Sequence, residues 1–121
     1  MSSGLKGEDA LQVACMSYMR LVHSDVLAIH VPNGGKRNAR EAKKLKRMGV
    51  VAGACDVLIF DAGTWKGKQY NGLAIELKVD KNTSTNNQKE FQRKLFKRNW
   101  LVFELRELDD FMAVVDTYLK P

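Results

Sequence analysis

The strongest constraint on this 121-residue chain is one apolar run, residues 73–79, that carries two charges at alternate positions. The run reads as a β-strand, and side chains alternate across a strand. Leu73, Ile75, Leu77 and Val79 therefore share one face, while Ala74, Glu76 and Lys78 share the other. Glu76 and Lys78 project side by side, with Cα atoms about 6.5 to 7 Å apart. A second short strand, residues 55–60, opens with Asp56 on the same side as Leu58 and Phe60, with Val57 and Ile59 opposite. If the two strands pair, Asp56 approaches Glu76. Two carboxylates and an ammonium then converge where a sheet normally buries apolar groups.

The remaining pattern supplies the elements around these strands. Residues 4–22 read as a helix, with Leu11, Cys15, Met19 and Val22 at the helical period. Residues 26–31 form an apolar strand that ends at Pro32-Asn33-Gly34-Gly35. Residues 37–48 are Ala- and Lys-rich and helical, stopping at Gly49. Asp61-Ala62-Gly63 begins a turn, and a polar connection with Trp65, Lys66, Lys68 and Tyr70 leads to the strand at 73–79. Residues 85–98 are a helix, residues 100–105 a strand, and residues 109–119 a closing helix with Phe111, Met112, Val115 and Leu119 inward. The expected order is α-β-α-β-β-α-β-α: an α/β fold with a mixed sheet flanked by helices, one domain over residues 1–121.

Charge points to the partner. Lys and Arg number 20 against 14 Asp and Glu, a net charge of +6, which suits a polyanion. One cluster is Lys36, Arg37, Arg40, Lys43, Lys44, Lys46 and Arg47; another is Lys81, Lys89, Arg93, Lys94, Lys97 and Arg98. A lysine-rich helix face is ordinarily a solvated surface. Two such clusters flanking an acidic site read as a phosphate track with sequence-independent, salt-sensitive affinity. No zinc-finger or RRM signature indicates base-specific readout. No apolar run approaches the roughly 20 residues of a spanning helix, no basic helix has a wide apolar face for a membrane surface, and the N-terminus does not open a signal peptide. Cys15 and Cys55 lack the paired spacing of a disulfide or zinc scaffold. A cytoplasmic, reducing setting is the expectation.

Carboxylates packed together repel, and a divalent cation between them relieves the repulsion. Oxygen donors favour Mg²⁺, with Mn²⁺ able to substitute. Such an ion acidifies a bound water and stabilises charge on a phosphodiester in transition. Lys78 can then orient or help deprotonate the water, or offset phosphate charge. The plain alternative is a Glu-Lys pair on a solvated strand. His30, at a strand end beside the Asn33 loop, is either a packed residue or a group near the phosphate; Trp65, Tyr70 and Trp100 suit packing better than base stacking.

Taken together, Gly53-Ala54-Cys55-Asp56, Ile75-Glu76-Leu77-Lys78 and the downstream Gln88 resemble the PD-(D/E)xK nuclease pattern. More narrowly they resemble its VRR-NUC branch, especially small stand-alone phage members, as does the loop Pro32-Asn33-Gly34-Gly35. The resemblance runs from about Glu8 to Trp100, with Cys55 standing where the family usually has Pro. It implies a restriction-endonuclease-like fold and a Mg²⁺-dependent DNA endonuclease, a homodimer acting on branched DNA such as four-way junctions or flaps, in phage or DNA-repair settings. It implies Asp56 and Glu76 as metal ligands, the Leu77 carbonyl as a further ligand, Lys78 as the catalytic lysine, Glu8 reaching the metal directly or through water, and Gln88 supporting the site. Asn33, Lys36, Arg37, Arg40, Lys43, Lys44 and Lys81 are the expected DNA contacts. Local chemistry offers rivals for two of these. Glu8 in a first helical turn is also favoured by the helix dipole, and Thr85-Asn86-Asn87-Gln88 fits a capping box. At the level of function the alternatives are a non-catalytic DNA-binding module on a nuclease fold, or a nuclease for linear DNA or RNA.

Overall fold

The computed structural model describes residues 5–32 and 38–121. In chain order the elements are α1 (Gly7–Val22), β1 (Ala28–His30), α2 (Ala39–Arg47), β2 (Val57–Ile59), β3 (Gly63–Trp65), β4 (Lys68–Tyr70), β5 (Gly72–Leu77), α3 (Asn86–Lys97), β6 (Trp100–Leu105) and α4 (Leu108–Leu119). Four strands form one sheet in the order β1-β2-β5-β6. The β1–β2 and β2–β5 pairs are antiparallel, and β5–β6 is parallel. A parallel pair needs a crossover connection, and α3 supplies it.

Every residue of β5 is buried, as its position in the middle of the sheet requires. Its odd-numbered face, Leu73, Ile75 and Leu77, joins Val57, Ile59 and Leu101 in a core closed by Cys15 and Met19 of α1 and Phe111, Val114, Val115 and Tyr118 of α4. Burial of these side chains, each worth about 1.5 to 3 kcal/mol for the larger aliphatics, fixes α1 and α4 on that face. The inward set of α4 differs from the periodic reading: Val114 and Tyr118 are fully in the core, whereas Met112 and Leu119 are half-buried. The Tyr118 hydroxyl makes this possible by donating to the Asp61 carbonyl at 2.9 Å, so the ring is buried without stranding its polar tip. In α1, Val22 is exposed; the helix overshoots the sheet by its last turn.

The connection after β2 is not irregular. It folds into a second, two-stranded sheet, β3–β4. Lys66 and Gly67 both adopt positive φ, the arrangement of a tight hairpin turn whose twist suits its strands. Trp65 stacks edge-on against Phe103 at 5.1 Å, and Trp100 meets Phe60 in the same way at 5.5 Å. Both tryptophans therefore serve packing.

α2 and α3 differ from α1 and α4 in having no fully buried residue, and α2 goes further: only Leu45 is even half-buried. Asn38 caps α2, its side chain accepting from the Glu41 N–H at 2.7 Å. No helix among the described residues is long and apolar enough to cross a membrane.

Candidate active site

The site lies where β5 ends and β2 begins, between the N-termini of α1 and α3. Register places it: Val57 is paired with Ile75, so the next antiparallel step sets Asp56 opposite Glu76 on one face. One Asp56 carboxylate oxygen accepts from the Leu77 main-chain N–H at 2.7 Å. That bond caps the first β5 amide that β2, which starts at Val57, no longer pairs. It also orients Asp56 towards the strand end.

Glu76 is 1% exposed and Lys78 6%. A charge is taken out of water at a steep cost unless it is paired, and here the pairing is incomplete. The Lys78 ammonium lies 3.7 Å from Glu76 Oε1, too long for a hydrogen bond. Glu76 Oε2 is buried with no hydrogen-bond partner. Burial, and after it the charge of Asp56, push the Glu76 carboxyl up to about 8 from an ordinary 4.5, against the opposing pull of Lys78 and the Asp56 main-chain N–H. Asp56 is also raised by burial, although the Leu77 N–H, His30 and Lys78 all act the other way. Two neighbouring acids that both resist ionisation are an arrangement a protein tolerates where a cation or a reaction uses it.

Lys78 is held from the other side. Its ammonium donates to Gln88 Oε1 at 2.8 Å. The same oxygen accepts from the Thr85 N–H at 2.8 Å, while the Gln88 N–H donates to Thr85 Oγ1 at 3.2 Å. The two sequence readings of Gln88 are thus compatible: it closes the α3 capping box and carries the lysine. Gly53 sets the distance between these parts. Its φ is +84°, and a Cβ there would collide with the Asn87 carbonyl and the Gln88 N–H. Only glycine lets the segment entering β2 lie against the start of α3.

Glu8 is brought to the same place by α1. It lines a cleft of about 430 Å³ with Asp9, Gln12, His30, Pro32, Asp56 and Leu77. Burial raises the Glu8 carboxyl, Asp56 raises it further, and Lys78 opposes, so Glu8 is in electrostatic reach of the pair. His30 enters through its main-chain neighbour: Nδ1 lies 2.7 Å from the Asp56 carbonyl oxygen, which can only accept, so Nδ1 carries the proton. Cys55, in the position the family gives to Pro, is wholly buried, and burial lifts its thiol to about 12. It is a packing residue and no nucleophile at neutral pH.

The donor set fits a hard cation of the Mg²⁺ type, which binds through one or two carboxylates plus water and substrate oxygens. The free Glu76 Oε2 and the two reluctant acids are what such an ion would satisfy. Among the described residues no three His, Cys, Asp or Glu side chains gather closely enough to enclose an ion unaided. Further donors must then come from main-chain oxygen, water or the substrate.

Of the expected DNA contacts, Arg40, Lys43 and Lys44 line an open groove of about 790 Å³ on α2, together with Asn38, Glu41, Arg47 and Met48. Lys81 is exposed just beyond β5, in a turn that Arg106 clamps by donating to the Asp80 and Asn82 carbonyls at 3.0 and 2.6 Å. Asn33, Lys36 and Arg37 lie outside the described residues. Sequence reasoning missed Gln12, which stands four residues after Glu8 on the same face of α1.

A mixed sheet with Asp and Glu-x-Lys at the ends of adjacent strands, a lysine clamped by a helix N-terminus and a carboxylate supplied by the first helix define the PD-(D/E)xK class of nuclease fold. Comparison with solved structures narrows this. A VRR_NUC domain protein superposes with a TM-score of 0.75 at 32% sequence identity, over 96% of this chain and 92% of that one. The chain belongs to the VRR-NUC family of nuclease domains. No family model matches it, and no curated protein does.

Proposed function

We propose that the chain is a Mg²⁺-dependent DNA endonuclease that hydrolyses phosphodiester bonds, with Mn²⁺ able to replace Mg²⁺. The observation that carries the reading is the buried pair Asp56 and Glu76, with Glu76 Oε2 unpartnered beside an ammonium fixed by Gln88. Asp56, Glu76 and the Leu77 carbonyl would hold the ion, with Glu8 reaching it directly or through water. The ion supplies Lewis acidity towards the phosphate and lowers the pKa of a bound water. Lys78, held at 2.8 Å by Gln88 Oε1, orients the attacking water and offsets the charge that builds on the phosphate. Water oxygen bonds to phosphorus, the bond to the 3′ oxygen breaks, one proton leaves the water and one joins the departing oxygen. The phosphate remains on the 5′ end.

Affinity for the polyanion is assigned to α2, which is exposed apart from the half-buried Leu45 and turns Arg40, Lys43, Lys44 and Arg47 into one groove. Each phosphate contact contributes close to one unit to the slope of log affinity against log salt. Replacing Arg40, Lys43 and Lys44 together by Ala should therefore lower that slope by about 3. The reading extends to branched DNA cut by a homodimer, because paired cuts across a junction need two sites.

The test is direct. Purified protein is incubated with four-way junction, flap, linear duplex and RNA substrates of equal length, with Mg²⁺ or with EDTA. Cleavage of a DNA substrate that stops in EDTA is expected, with junctions and flaps cut faster than duplex. Tight binding unaffected by EDTA, with no cutting, would leave the domain a DNA-binding module. Sedimentation with and without junction DNA decides the dimer.

A further inference from the structure

Buried polar atoms are nearly always hydrogen-bonded, and those that are not call for an explanation. Among the described residues three side-chain atoms are buried and unpartnered: Glu76 Oε2, Gln12 Nε2 and Gln12 Oε1. They do not scatter. Gln12 lines the same cleft as Glu8, Asp56 and Leu77, and Glu76 is the residue before Leu77 on β5.

Gln12 therefore spends neither its donor nor its acceptor on the protein. Acceptors are at hand, since the carboxylates of Glu8 and Asp9 line the same cleft. A helical glutamine with a free rotamer usually turns its amide to solvent, because α1 has an exposed side: Val13, the next residue, is 45% exposed. Holding both ends of an amide away from water weakens the free protein. The arrangement becomes favourable only when something in the cleft offers an acceptor to Nε2 and a donor to Oε1. A phosphodiester offers only acceptors, and a water offers donors.

We propose that Gln12 is a substrate-binding residue of the reaction centre, its Nε2 donating to an oxygen of the scissile phosphate and its Oε1 accepting from a water beside it. This rests on the nuclease reading above. It adds a neutral hydrogen-bond donor to a cleft whose ionised carboxylates can only accept. Glu8 and Gln12, one turn apart on α1, then act as a unit, the first for the cation and the second for the substrate.

The experiment uses Gln12→Met, which keeps length and helix propensity but removes both polar atoms, and Gln12→Glu, which keeps size and the acceptor but removes the donor. Melting temperature is measured in EDTA without DNA, and kcat and KM are measured in Mg²⁺ on a DNA substrate that the wild type cuts. Gln12→Met should melt a few degrees above wild type, because a buried unsatisfied amide is gone, while kcat/KM falls about 10- to 100-fold. Gln12→Glu should lose as much activity, and its added carboxylate should lower the melting temperature. Wild-type turnover in either variant overturns the proposal. So does a fall in melting temperature of Gln12→Met alongside activity, which marks a structural residue. If the wild type itself cuts no DNA, the nuclease reading fails first and takes this inference with it; if the wild type cuts and the variants match it, only the inference falls.

Discussion

Helix α1 carries a polar cluster at each end, and the two are electrostatic opposites. At its C-terminal end the Tyr18 hydroxyl donates to Asp116 of α4 at 2.6 Å, His23 Nε2 reaches the same carboxylate at 2.8 Å, and the two rings meet edge-on at 5.7 Å. Every charge there has a partner, and the hydrogen bond from Tyr18 holds the Asp116 carboxyl below its usual range. At the N-terminal end Glu8 and Gln12 face Asp56 and Leu77; there Glu8, Asp56 and Glu76 are all raised, burial first. A polar cluster that is satisfied favours its ionised acid and ties two helices together. One that is unsatisfied destabilises the free fold and is retained for what it binds. The signs of the acid shifts thus differ between the two clusters: lowered where the carboxylate is bonded and exposed, raised where the carboxylates are buried together.

The largest test of that contrast is removal of one acid at the unsatisfied end. Glu76→Gln and Asp56→Asn should each reduce cleavage by on the order of 10³-fold or more, the scale on which charge-stabilising groups act, while DNA binding stays near wild type. In EDTA at pH 8 Glu76→Gln should also melt higher than wild type, because it removes a carboxylate that resists ionisation. A variant that is fully active removes its residue from the site; one that is inactive and melts lower makes the pair structural. Lys78→Ala comes next. It should lower kcat by about 10²-fold and alter the Mg²⁺ midpoint much less, since the ammonium leans on Gln88 and lies 3.7 Å from Glu76. A midpoint that moves as far as kcat would make Lys78 a determinant of metal affinity.

How the two ends could be foreseen differs for a physical reason. Alternation along β5 put Glu76 and Lys78 on one face, and the antiparallel register brought Asp56 opposite; strand geometry is periodic, so it is visible in a string of residues. The capping box of Gln88 was visible too, because its spacing is local. Its hold on Lys78, which lies one residue past the end of β5 where the sequence pattern extends the strand to Val79, is a contact with a helix residue ten positions later, and only the family pattern hinted at it. Gln12 left no trace. An amide four residues after an acid is common on helices, and its isolation from partners is a property of packing. The β3–β4 hairpin was missed because its turn, Lys66-Gly67, has only one residue that advertises positive φ, and strands of three residues show little alternation. The Tyr18–His23–Asp116 clamp was likewise invisible, since its members are 93 and 98 residues apart.

The pH dependence of stability gives the contrast a sign. Glu76 titrates at about 8 in the folded chain against an ordinary 4.5, so between these values the folded state holds a proton that the unfolded chain has released. Unfolding stability in EDTA should then fall as pH rises from about 4.5 to about 8 and level off above it. Glu76→Gln should flatten that limb, and saturating Mg²⁺ should remove it by favouring the ionised acids. A limb unchanged by the substitution would assign it to other groups. Asp116 runs the other way: its lowered carboxyl contributes stability above the ordinary 3.8, and that contribution is lost only as pH falls through its lower folded value.

Breaking the satisfied end should have the smallest effect, and on stability alone. Asp116→Asn leaves Tyr18 a weaker acceptor and removes the charge that His23 faces, yet Asp116 is 52% exposed at its side chain. Water replaces much of what is lost, so the change is about 1 kcal/mol or less, a few degrees in melting temperature for a chain of this length. Tyr18→Phe should match it, and the double variant should cost no more than about the larger single one, because both remove the same bond. Cleavage should be unchanged, since α1 stays fixed to the core through Met19 and through Cys15, which lies between the clamp and Glu8. Loss of activity in Asp116→Asn at a temperature where the protein remains folded would mean that α4 positions Glu8 and Gln12 through the length of α1, and the two ends would have to be treated as one device.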